Sequence, residues 1–125
     1  MSGMIGAEAQ LKEALDLLET KLGVVCVPIK VSGAFHSPLM EPARIEFEDR
    51  LTSIEFREPA VPVISNVNAL PYCRENIRSG LSQQLTSPVK WTETIRYLKG
   101  NGENDFCEIG PGRVLARLIS RIGCV

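Results

Sequence analysis

The stretch VVCVPIKVSGAFHSPLMEPARIEFEDRL, residues 24–51, changes its periodicity half way along. Its first eight residues are apolar or β-branched at nearly every position, the pattern of a strand buried on both faces. Pro28 removes one ladder donor, which places that strand at an edge or leaves it paired on one side there. Gly33 marks a turn. Ser37-Pro38 then reads as a helix entry, the hydroxyl capping free amides and the proline occupying a position that needs no N–H. Met40, Ala43, Phe47 and Leu51 recur on one helical face. Pro42 separates off the first turn, so the regular helix is expected to begin near Glu41.

The same alternation extends in both directions. Upstream, Leu11, Leu15, Leu18 and Leu22, with Ala14, form an amphipathic stripe of about four turns that Gly23 stops. Downstream, AVPVISNV (60–67) is a second strand candidate. Ile77, Leu81 and Leu85 give a helix, Trp91, Ile95 and Leu98 another that Gly100 closes, DFCEI (105–109) a short strand, and Val114, Leu115, Leu118 and Ile122 a last helix. This alternation predicts an α/β fold with a partial sheet of about three strands and about five helices. So few strands leave sheet edges and faces uncovered, which predicts a sheet completed elsewhere and a chain prone to self-association.

The 125 residues are 44% hydrophobic and 23% charged, with 14 Lys and Arg against 15 Asp and Glu, which is enough for one soluble globular unit. Balanced charge without a basic run argues against nucleic acid as a partner and against an anionic membrane surface. The longest apolar run falls far short of the ~20 residues of a membrane span. The N-terminus lacks the pattern of a secretory signal, and a cytoplasmic location is expected. Cys26, Cys73, Cys107 and Cys124 form no CxxC pair and have one histidine to join them, so reduced, mostly buried thiols are expected, with neither disulfide nor metal site.

Candidates for chemistry are few. His36, the sole histidine, stands between a buried strand and a helix, where open α/β sheets gather active-site residues; lone histidines are nonetheless more often structural. Gly110-Pro111-Gly112 could offer amides to an anion, yet without GK[ST] or GxGxxG around it a tight turn is the simpler reading. Glu46, Glu48 and Asp49 read as a solvated helix face. Trp91 and Tyr97 read as core.

Four strings carry a resemblance. VSGAFHSPLMEPA (31–43), VPVISNV (61–67), QQLTSPVKW (83–91) and EIGPGRVL (108–115) resemble, in order and spacing, segments of the malonyl-CoA:acyl-carrier-protein transacylases of fatty-acid synthesis and of the acyltransferases that load polyketide synthases in trans. The resemblance covers the C-terminal part of that family, whose fold joins an α/β-hydrolase-like core to a ferredoxin-like lobe. It implies that residues 1–31 hold the last helix and strand of the small lobe and 32–125 the C-terminal part of the large core.

The resemblance also implies a reaction: transfer of malonyl from coenzyme A to the phosphopantetheine thiol of an acyl carrier protein, through an ester on a serine. His36 would be the catalytic base and the main-chain carbonyl of Gln84 its orienting partner, with no bound cofactor or metal. Phe35 matches the position associated with malonyl preference, where its ring would fill the space of an α-methyl group; packing under the turn is the alternative. Ser37 and Asn66 would lie near the site, Asn66 as a turn-former. The family's GHSxG serine elbow, its carboxylate-clamping arginine and its oxyanion glutamine have no counterpart in these 125 residues. The expected partners are therefore an acyl carrier protein and a polypeptide carrying the serine. A non-catalytic module that binds a carrier protein or partner subunit is the alternative.

Overall fold

The computed structural model describes residues 5–6, 8–29 and 31–122. Among the described residues five α-helices follow one another: α1 (Glu8–Leu22), α2 (Glu41–Thr52), α3 (Ile77–Gln83), α4 (Trp91–Gly100) and α5 (Val114–Ile119), with a 3-10 turn at Pro38–Met40 ahead of α2. The number of helices is as the periodicity predicts. α1 stops where Gly23 takes φ +61° and its N–H reaches the carbonyl of Glu19. Ser37, in extended conformation, caps the 3-10 turn by accepting the Leu39 N–H, and α2 begins at Glu41 with Pro42 in its first turn.

Among the described residues no three-strand sheet is present. Among the described residues the sole β pairing is an antiparallel bridge between Ile64 and Pro71, flanked by bonds from Tyr72 N–H to Val63 O and from Ser65 N–H to Leu70 O. Residues 24–29, 31 and 105–109 run without a ladder; Lys30 and Cys124 lie outside the described residues. Branched side chains specify extended backbone locally, but a ladder needs a neighbour ~4.8 Å away. The reading of 24–31 as buried on both faces is likewise corrected. Val25, Val27, Ile29 and Val31, which share one face at period two, are all exposed, Val25 at 88%, and Ile109 stands at 97%.

The compact part centres on α2, which packs on α3 and on the 3-10 turn. Leu51, Ala69 and Ile95 are its buried apolar residues, and Ser37, Ser65 and Ser82 are buried with them. Trp91 and Tyr97 are half-buried beside Ile95 on α4. The thiols of Cys26 and Cys73 are half-buried and Cys107 is exposed, all unpaired, so none of the three is fully buried as expected, least of all Cys107, whose run 105–109 pairs with no described strand that could cover it.

Gly80, buried inside α3, sits under the ring of Tyr72. A β-carbon there would overlap Tyr72 Cε1 and stand 3.0 Å from its Oη. Helix propensity alone favours alanine by ~1 kcal/mol, whereas overpacking costs about 1–3 kcal/mol. Gly80→Ala is therefore expected to destabilise the chain by up to about 2 kcal/mol, read as a lower urea midpoint. A raised midpoint would show that Tyr72 moves aside freely.

Candidate active site around His36

The turn at 35–36 places His36 at φ +64°, a left-handed conformation uncommon for a residue with a β-carbon. Two bonds from one segment hold it there. The His36 main-chain N–H donates to Leu85 O at 2.9 Å, and ring Nδ1 lies 2.8 Å from Gln84 O. A carbonyl oxygen can only accept, so in this bond Nδ1 carries the proton and, in the neutral ring, Nε2 keeps its lone pair free. The backbone strain, of order 1–3 kcal/mol, is thus offset by contacts that fix both the main chain and the tautomer.

Ser37 is buried and occupied with structure: its hydroxyl donates to Ala34 O at 2.7 Å and accepts from Leu39 N–H at 3.3 Å. It locks the turn that presents His36. Phe35 is 41% exposed, with its ring edge against Gly33. Gln84 ends α3, its own N–H bonded to Gly80 O, and it meets His36 through its main chain. His36, Ser37 and Gln84 therefore come together, with Phe35 beside them. Asn66 lies in the turn 66–68 and is linked to the QQLTSPVKW segment through its carbonyl, which accepts the Lys90 N–H at 2.8 Å.

Three further residues, Arg44, Ser82 and Glu108, make contacts that no motif in the sequence singles out. Arg44 on α2 grips Glu41 with two nitrogens, Nε at 2.8 Å and Nη2 at 2.7 Å, while Nη1 meets Glu48 and donates to Ser82 Oγ at 3.0 Å. Bonding to Arg44 holds the Glu41 carboxyl below its ordinary range, and the two glutamates push the guanidinium value up. Glu48 is thus not simply part of a solvated face, whereas Glu46 and Asp49 are exposed. The i−3 and i+4 spacing of the two glutamates about Arg44 was the available signal.

Glu108 is the third. Its carboxylate accepts the N–H groups of Leu115 at 3.1 Å and Ala116 at 3.0 Å, and these bonds lower its pKa. The first amides of α5 are taken by a side chain of the same motif, and Gly110 and Gly112 have positive φ, so EIGPGRVL is a turn closed by its own glutamate.

A concavity of about 340 Å³ lies between residues 58–64 and α4, lined by Val61, Ile64, Tyr72, Tyr97 and Leu98 among others, and His36 takes no part in it. Among the described residues no three His, Cys, Asp or Glu side chains converge on a point where a metal could bind, and no helix is long and apolar enough to cross a membrane.

Solved structures that share this fold include malonyl CoA-acyl carrier protein transacylases. One, from Xanthomonas oryzae pv. oryzae, a malonyl-CoA:acyl carrier protein transacylase, matches 94% of this chain and 38% of its own with a TM-score of 0.88 at 35% identity. Another, a malonyl-transacylase in complex with its type II polyketide acyl-carrier protein, gives a TM-score of 0.87 at 38% identity over 94% of this chain and 38% of its own. In sequence, the polyketide biosynthesis malonyl CoA-acyl carrier protein transacylase PksC of Bacillus subtilis is 46% identical over 118 residues, 94% of this chain and 41% of the relative. No family model matches. The chain is a homologue of the malonyl CoA-acyl carrier protein transacylases and spans about two-fifths of their length, a coverage that fits their C-terminal part.

Proposed function

We propose that this segment supplies the histidine side of a malonyl transferase site, completed by a polypeptide segment that carries the serine. The observation that carries the reading is the bond between His36 Nδ1 and Gln84 O, which leaves Nε2 as a free base. In the first half-reaction Nε2 takes the serine hydroxyl proton as the oxygen attacks the malonyl thioester carbonyl, and the coenzyme A sulfur leaves with that proton. In the second, Nε2 takes the proton of the carrier phosphopantetheine thiol, the sulfur attacks the ester, and the serine oxygen regains the proton. His36 ends each half-reaction neutral.

An acyl carrier protein is the acceptor in this reading, supported by the complex formed by one structural relative. Residues 1–31 would close the small lobe and 32–125 the large core. The exposed side chains of Val25, Val27, Ile29, Val31 and Ile109 would then be covered by neighbouring strands; left uncovered, they favour self-association.

The test is complementation. Incubated alone with malonyl-CoA, the 125 residues are expected to gain no malonyl adduct by intact mass, because no serine here has an elbow and amide pocket that make a hydroxyl nucleophilic. Mixed with a polypeptide bearing the serine elbow, they are expected to restore transfer to a carrier protein. Binding of that polypeptide without transfer would instead favour an interaction module.

A further inference from the structure

We infer that Arg44 is a positioning residue for His36, acting through Ser82; the catalytic meaning of this rests on the reading above, but its geometry does not. Both bonds that hold His36 come from residues 84 and 85, at the C-terminal end of α3. The histidine itself is tethered to the other element, since it runs through Ser37 and the 3-10 turn directly into α2. The ring is therefore set by how α2 and α3 are registered against each other.

Apolar packing between two short helices tolerates small slides, whereas a directed polar bond selects one register. Arg44 makes that bond. Its Nη1 crosses from α2 to the hydroxyl of Ser82, which is 1% exposed. Ser82 in turn accepts the Leu85 N–H through its carbonyl at 3.3 Å, and Leu85 O receives the His36 N–H. Glu41 and Glu48 hold the guanidinium from the α2 side, so the crossing nitrogen has little freedom. A continuous path of named bonds thus runs from α2 through the end of α3 and back to His36, which leads into α2 through Ser37 and the 3-10 turn.

His36 is the one histidine in the sequence, so its state can be read without ambiguity. The probe is the untagged 125-residue chain labelled with ¹⁵N-histidine, observed by long-range ¹H–¹⁵N correlation at about pH 8.5, well above the ordinary histidine value of about 6.5. The parent chain is expected to show a protonated Nδ1 and an unprotonated Nε2. Arg44→Gln is expected to lose that pattern, with the Nε2–H tautomer appearing, while far-UV circular dichroism stays helical; Arg44→Lys, which can still reach Ser82, should restore part of it. Ser82→Ala removes the crossing acceptor alone and should shift the tautomer in the same direction, which keeps the test decisive if Arg44→Gln fails to fold.

A parent spectrum without Nδ1–H would overturn the site reading itself. A parent spectrum with it, unchanged in folded Arg44→Gln or Ser82→Ala, would overturn the positioning role and leave the site reading standing. A lowered melting temperature with an unchanged tautomer counts as the latter, because general support of the fold does not select a ring proton.

Discussion

Transfer restored by a serine-bearing polypeptide is expected to fall ~100-fold or more with His36→Ala, the scale of losing a positioned general base. The loss should lie in turnover more than in substrate affinity, since Nε2 acts on protons in flight and does not grip the malonyl or the pantetheine chain. The substitution also removes the ring from the Gln84 carbonyl and puts alanine into a left-handed backbone position. His36→Asn separates these effects, because asparagine tolerates positive φ better than alanine does. Equal collapse of both variants with folding intact assigns the loss to the missing base, and transfer that survives either one would remove His36 from the chemistry.

The second large effect concerns which acyl group is accepted. In a complemented assembly Phe35→Ser is expected to shift the methylmalonyl-to-malonyl ratio roughly tenfold toward methylmalonyl, as relieving one methyl clash allows. The ring rests on Gly33 and is 41% exposed, so removing it creates no large internal cavity in this chain, and folding should change little. Competition between the two coenzyme A esters in one reaction reads the ratio directly. An unchanged ratio would mean that Phe35 serves only as a cover over Gly33.

What the letters of the chain disclosed divides along the reach of the interactions. The leucine stripe of α1 with its Gly23 stop, the Ser37 cap and the break between the 3-10 turn and α2 depend on residues within about a turn of each other, and they were legible. The β-branched runs do not show in their letters whether they pair, because pairing depends on distant partners, and among the described residues no two of these runs find one another. The contact between residues 36 and 84 could be anticipated only from resemblance, as nothing local announces a bond across 48 residues. Arg44 could have been found from its helical spacing to Glu41 and Glu48, yet its decisive partner, Ser82, again lies far along the chain. Glu108 was hidden for a different reason: it caps a helix from six residues before that helix begins, beyond the window in which capping boxes are sought.

The acceptor that faces His36 is a peptide oxygen, and that changes what evolution can do to it. A side-chain carboxylate in the same place could be erased by one nucleotide change. Every amino acid at position 84 brings the same oxygen, so the letter written there is free to drift while the bond to Nδ1 persists. A search for a third triad member among aspartates and glutamates would pass over such a site. Its vulnerability lies instead in deletions and insertions between residues 77 and 85, which would rotate that oxygen away while leaving His36 itself in the sequence.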